Sequence, residues 1–213
     1  HGAAAFPRLV ELSPSSGPIE GGTILLLATA HVDSELGLVP EDPLTLTAPL
    51  PSTSAYRCFL GEANITATFA NGTVRCTTLA FGAAGAAVPL HFALNAQEPV
   101  GPVAPFVVYE RLTASGATPL SGPTHGGTLV TVEGGSLSNG SDPRCRFGSG
   151  SPVDETPGLD VSPATFDSQS NTLQCVSPPA LGMSAGPAEL FISLNSQNYA
   201  RVGSVVFNYT SQL

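Results

Sequence analysis

Apolar and polar residues alternate in short runs along this chain, and clusters of turn residues separate the runs. Ile65-Thr66-Ala67-Thr68-Phe69-Ala70 alternates with a period of two. Thr128-Leu129-Val130-Thr131-Val132 sets Leu and Val against Thr in the same way, as a half-buried strand requires. Thr23-Ile24-Leu25-Leu26-Leu27 is instead a continuous apolar run, the mark of a core strand. On this pattern strands are expected over 8–12, 24–30, 56–60, 65–70, 73–76, 88–95 and 106–109. A second set is expected over 128–132, 164–166, 172–175, 189–195 and 205–209. Asn71-Gly72 lies between two of them and predicts a hairpin, because both residues tolerate positive φ. That hairpin is expected to carry Cys76 back along the sheet to the strand holding Cys58. Residues 31–54, with four prolines, read as a long loop with a short edge strand at Leu44-Thr45-Leu46-Thr47. Residues 149–163 read as a second polar loop. No helical period is sustained, and the Ala-rich stretch at 81–87 is broken by glycine.

The pattern occurs twice. Ser16-Gly17-Pro18-Ile19-Glu20-Gly21-Gly22-Thr23 returns as Ser121-Gly122-Pro123-Thr124-His125-Gly126-Gly127-Thr128, 105 residues later. In each copy proline fixes φ and the paired glycines permit φ > 0, so the motif is a tight turn feeding a strand. A phosphate-binding loop would need a helix N-terminus or a Gly-Lys-Ser/Thr ending, and the chain contains no lysine. Further matches follow in the same order: Arg57-Cys58-Phe59-Leu60-Gly61 with Arg144-Cys145-Arg146-Phe147-Gly148, and Val74-Arg75-Cys76 with Leu173-Gln174-Cys175. Phe92-Ala93-Leu94-Asn95-Ala96-Gln97 then matches Ile192-Ser193-Leu194-Asn195-Ser196-Gln197. This is a tandem duplication, with domains over 1–110 and 111–213. Only Glu110-Arg111 separates the last strand of one from the start of the next, which predicts two domains end to end with limited bend. The four cysteines fall two per copy at matching places, so the repeat favours Cys58–Cys76 and Cys145–Cys175 among the three connectivities. No Cys-x-x-Cys and only scattered histidines are present for zinc, and paired cysteines imply an oxidising compartment.

These residues resemble the IPT/TIG family, whose pattern runs through Ser-Gly-Pro-x-x-Gly-Gly-Thr, Cys-x-Phe-Gly, Cys-x-x-Pro and a closing Leu-x-Asn strand. The resemblance covers nearly all of both copies. The first departs at Cys76-Thr77-Thr78-Leu79, where the proline is missing; the second keeps it at Pro178. The first also lacks the glycine that the second supplies as Gly134-Gly135. The resemblance implies an all-β chain of two tandem immunoglobulin-like antiparallel β-sandwiches. Such domains occur in plexins, growth-factor-type receptors, some transcription factors and fibrocystin-like proteins, the last a setting in cilia.

Composition narrows the function. Sixteen acids against seven arginines give a formal charge of −9, without a basic patch to neutralise phosphates, so nucleic acid is not an expected partner. No run of 18 apolar residues is present, so no direct membrane insertion is expected of this segment. It reads as a mature product or an excised piece of a longer chain. Sequons stand at Asn64, Asn71, Asn139 and Asn208, making N-linked glycans expected adducts. No nucleophile stands in a recognisable context with a base. His125 replaces Glu20 within the turn, and His91 lies in a strand. The adjacent acids Glu41-Asp42 and Asp154-Glu155 are too few for a calcium site. No catalytic residue, cofactor or metal is therefore expected. The expected role is an extracellular, cell-surface spacer or adhesion segment that contacts other protein modules. The alternatives are a ligand-binding part of a receptor ectodomain and an accessory domain of a secreted carbohydrate-active enzyme.

Overall fold

A computed structural model of the chain describes residues 7–33, 37–38, 56–70, 73–93, 105–148, 160–180, 182 and 184–211. Its elements, in chain order, begin with β1 (Pro7–Ser13), β2 (Ser16–Pro18), β3 (Ile24–Asp33), β4 (Gly37–Leu38), β5 (Arg57–Leu60), β6 (Ala63–Thr66), β7 (Thr68–Ala70), β8 (Thr73–Thr77), β9 (Ala87–Ala93) and β10 (Pro105–Tyr109). They continue with β11 (Thr113–Thr118), β12 (Ser121–Pro123), β13 (Leu129–Gly135), β14 (Arg144–Gly148), β15 (Val161–Asp167), β16 (Thr172–Val176), β17 (Gly186–Ser193) and β18 (Ala200–Thr210). The chain divides into two compact units, 1–15 with 19–108, and 16–18 with 109–213. The expected edge strand at 44–47, the Asn71-Gly72 turn and the acid pairs at 41–42 and 154–155 lie outside the described residues.

In the first unit β1-β3-β8-β7 form one layer, and β10-β9-β5-β6 belong to the other. The apolar run that opens β3 still obeys the period of two: Leu25 and Leu27 are fully buried, while Ile24 is exposed. The core gathers Leu25, Leu27, Leu60, Leu90, Phe92 and Phe106 around Cys58 and Cys76. The second unit orders its strands β11-β13-β16-β15-β14-β17-β18-β12. Its core packs Val130, Val132, Leu173, Leu190, Ile192 and Phe207 around Cys145 and Cys175.

Four expectations are corrected. The single strand over 65–70 is two strands. β6 pairs with β5 and β7 with β8, and between them the Ala67 N–H donates to the Tyr56 carbonyl as the chain passes from one layer to the other. Alternation continues through the break, with Ile65 and Ala67 both inside, which is why the sequence pattern shows none. Second, Cys76 does not reach the strand of Cys58 as a sheet neighbour. β8 and β5 lie in different layers, and the disulfide joins them through the core. Third, residues 161–163 are strand rather than loop. β15 makes the same passage unbroken, pairing with β14 at Val161–Pro163 and with β16 at 164–167. Fourth, the Ser-Gly-Pro half of the repeated motif is itself a short strand, and β12 runs parallel to β18, with Ser121 opposite Asn208. The antiparallel rule therefore has local exceptions in the second unit, this pairing and the isolated parallel bridge between Asp142 and Asn195.

The Gly-Gly half of the motif is the turn, and it is docked in the same way in both units. The Gly22 N–H donates to the Thr78 carbonyl, the Thr78 N–H to Thr23, and the Phe81 N–H to Ile19. In the second unit Gly127 donates to Ser177, Ser177 to Thr128, and Ala180 to Thr124. The hydroxyls of Thr78 and Ser177 accept from the Thr23 and Thr128 N–H groups at 3.0 and 3.1 Å. Only glycine fits the first position. Gly21 and Gly126 have φ of 76° and 78°, and a Cβ would stand 2.5 Å from the Leu79 backbone and 2.6 Å from that of Pro178.

Gly127 separates the two demands on the motif, because its φ is 87° but nothing lies within 4 Å of an added Cβ. Gly127→Ala should therefore cost only the left-handed conformation, about 1–2 kcal/mol. Gly126→Ala should cost clearly more, since the turn must also lift off the segment after Cys175. Urea unfolding midpoints of the two variants measure the difference.

Candidate functional site

Two features repeat in the two units and hold the surface of each in place. The first is the disulfide. Cys58 with Cys76 (Cα–Cα 6.5 Å) and Cys145 with Cys175 (6.3 Å) tie the two layers of each unit through its core. All four half-cystines are buried. The second is the docked turn, which binds the segment starting two residues after Cys76 or Cys175.

Tyr209 in β18 extends this anchorage in the second unit. Its hydroxyl donates to the Pro178 carbonyl at 2.9 Å, and its ring packs edge-on against Phe207, centroids 5.0 Å apart. Burial pushes the Tyr209 hydroxyl up to about 12, with the nearby Asp160 charge adding to the shift. The Leu194-Asn195 pair that closes the repeat is explained by Asn195, which is 1% exposed. Its Oδ1 accepts from the Ser193 hydroxyl and from the Gln197 and Asn198 N–H groups, and its Nδ2 donates to Asn198 Oδ1 at 2.8 Å. One buried side chain thus ties together the turn between β17 and β18. The corresponding 95–97 stretch of the first unit lies outside the described residues.

On the outer surface of the second unit, Arg146 is only 8% exposed although it stands between two core residues, Cys145 and Phe147. Alternation sends it outward, where its guanidinium lies 4.8 Å from the Phe191 ring centroid and 5.2 Å from that of Tyr199. Such stacking holds a cation over aromatic faces. Sequence reading missed it because Leu190-Phe191-Ile192 is a continuous apolar run that does not reveal which residue faces out. The other unanticipated feature is an apolar pair on the opposite layer: Leu129 and Val176 are 55% and 48% exposed and directly opposed across β13 and β16. Ile24 occupies the equivalent place in β3 and is also exposed.

The sequence-predicted modification residues are spread out. Asn64 lies in β6, Asn208 in β18, and Asn139 between β13 and β14 with φ 67°; all three are exposed. Asn71 lies outside the described residues. His125 is exposed in its turn, and His91 is half-buried in β9. Among the described residues no three His, Cys, Asp or Glu side chains converge as metal ligands. Asp167 is held below its ordinary carboxylate range chiefly by the Ser170 hydroxyl, with the Gln169 N–H also donating; this closes the turn between β15 and β16.

Paired β-layers with a disulfide through each core define an immunoglobulin-like β-sandwich protein. The IPT/TIG domain family model matches residues 112–209, and that unit is an IPT/TIG domain. Domains of this family are typically non-catalytic modules of protein interaction. Among solved structures, the full extracellular region of plexin A4 is similar over 98% of this chain at 17% identity and a TM-score of 0.51. That likeness is one of fold, and the chain spans 16% of the plexin's length. The Ig1-2 module of the Drosophila receptor protein tyrosine phosphatase DLAR aligns over 97% of this chain and 99% of its own at 13% identity and TM-score 0.31. A xyloglucan-locus protein, SGBP-B of Bacteroides uniformis, aligns over 94% of this chain and 49% of its own at 14% identity and TM-score 0.31. No curated protein sequence matches the chain.

Tyr209 generates a test in alkali. The fold favours the neutral phenol, raising its pKa from about 10 to about 12. Its contribution to stability is therefore complete below pH 10 and lost as pH rises through 12. Tyr209→Phe should lose about 1 kcal/mol at neutral pH, the worth of the bond to Pro178. It should also show a shallower fall in unfolding midpoint than the parent protein between pH 10 and pH 12.

Proposed function

We propose that this chain is a non-catalytic extracellular segment of a larger cell-surface or extracellular-filament protein, a stapled spacer that makes protein–protein contacts. One observation carries the reading: the same inter-layer disulfide, buried in the core, recurs in both units. A buried bridge persists where the compartment is oxidising. It stiffens a small core by constraining the unfolded chain, by about 3–4 kcal/mol for loops of this length. The net charge of −9 keeps such a segment soluble and away from nucleic acid.

The reading of the chain as part of a ligand-binding receptor ectodomain has a separate observation in its favour. Leu129 and Val176 together present apolar side chains on a sheet face whose next pairs are Thr131 with Gln174 and Glu133 with Thr172. That reading shares the extracellular setting and differs in assigning a dedicated ligand. Sugar stacking has less support, since the chain holds no tryptophan and four tyrosines, of which Tyr56, Tyr109 and Tyr209 are buried in the two cores.

Alkylation of the protein from its native source, before and after reduction, tests the proposal. Peptides linked through Cys58–Cys76 and Cys145–Cys175 are the expected result, and reduction should lower unfolding stability by about 3 kcal/mol per bridge. Four alkylated thiols in the unreduced protein would sink the extracellular reading.

A further inference from the structure

We propose that Asn64, Asn139 and Asn208 are N-glycosylation sites, and that the two strand-borne sugars fall on the corresponding layer of each unit, opposite the layer that carries the exposed Ile24, Leu129 and Val176. The inference rests on the secretory setting proposed above. It goes beyond that setting by assigning the modified atoms and the face they occupy.

Three observations converge on these residues. Each of the three asparagines is exposed, and none makes a side-chain hydrogen bond within the described structure. Exposure alone does not mark them, since Asn171 is exposed outside a sequon, whereas Asn195 is buried with its amide committed to Asn198. In the two strand sequons the middle residue belongs to the core, Ile65 at 7% exposure and Tyr209 at 6%. The period of two then sets Asn64 with Thr66, and Asn208 with Thr210, on the outer side, and all four are exposed. Asn139 reaches the same result by another route, through a left-handed backbone conformation at an exposed turn. A bulky sugar on any of the three therefore displaces no core side chain and no hydrogen bond of the asparagine.

The chemistry is a transfer from a lipid-linked diphosphate oligosaccharide, catalysed by a transferase of the secretory compartment. The asparagine Nδ2 forms a bond to C1 of the first N-acetylglucosamine. The C1–O bond to diphosphate breaks, and the amide proton leaves with the released lipid diphosphate. No redox change is involved.

The placement has a consequence for the surface. β6, which carries Asn64, closes one end of the order β10-β9-β5-β6, and Asn208 stands on β18 of the β14-β17-β18 layer, the counterpart of β5-β9-β10. A glycan on β6 blunts a strand edge that would otherwise pair with another chain. Ile24, Leu129 and Val176 lie on the other layer, in β3, β13 and β16, while the exposed Leu120 precedes β12 beside Asn208.

The test is secretion of the 213-residue chain from a eukaryotic host behind a supplied leader peptide, followed by digestion with a peptide N-glycosidase and mass mapping without reduction. Asn64, Asn139 and Asn208 should be converted to Asp, while Asn195 and Asn198 remain unchanged. Asn64→Gln, Asn139→Gln and Asn208→Gln should each remove one step from the glycoform ladder. An unconverted Asn64, Asn139 or Asn208 in protein whose cysteines are linked in pairs overturns the inference and leaves the proposed function standing. Converted asparagines beside four free thiols do the reverse.

Discussion

The contact that the rest of each unit depends on is the seating of a Gly-Gly turn against the backbone that follows the second cysteine. In both copies four hydrogen bonds make this joint: three between backbones, and one from a backbone N–H to the hydroxyl of Thr78 or Ser177. The approach is so close that a single methyl group at Gly21 or Gly126 would meet carbonyl carbon and oxygen. The same joint fixes where β3 and β13 begin, and their registers with β8 and β16 follow directly: Ile24 opposite Thr77, Leu129 opposite Val176. Two residues before the seat, the disulfide reaches across to the other layer. Turn, sheet register and inter-layer staple are therefore one connected unit, and the duplication has kept all three. The cis bonds Ser13–Pro14 and Thr118–Pro119 are kept at equivalent places as well.

This frame leaves the outer surfaces free to differ. The second unit has a guanidinium stacked on two rings outside its sheet, with Phe59 of the first unit standing where Arg146 does. It also has an exposed Leu–Val pair where the first has Ile–Thr. Such positions can diverge without touching the core, since strand alternation sends their side chains away from it. A duplicated scaffold with divergent faces suits modules of protein interaction, the typical kind of the IPT/TIG domain that matches residues 112–209.

The fold class was legible in the sequence because its signals are local. Period-two alternation, Gly-Gly turns and a cysteine pair repeated at the same spacing each act over a few residues, and their repetition made the pairing of cysteines readable. The sequons were legible for the same reason. Where reading failed, the determinant was not local. The passage of residues 65–68 from one layer to the other keeps alternation, so no breaker residue announces it; in β15 Pro163 stands at the crossing, but a proline does not say which strand each half will join. The parallel pairing of Ser121–Pro123 with β18 joins segments nearly ninety residues apart, which no turn residue records.

The sequence by itself determined the all-β class, the duplication and the cysteine partners, because these follow from strand alternation, turn chemistry and the repetition of both. Tertiary structure decided which layer each strand joins, that the disulfides cross the core, and which face Phe191, Leu129 and Asn208 present. The physical reason is that a strand's alternation fixes two faces without naming them. Only packing against the opposite layer makes one of them the inside.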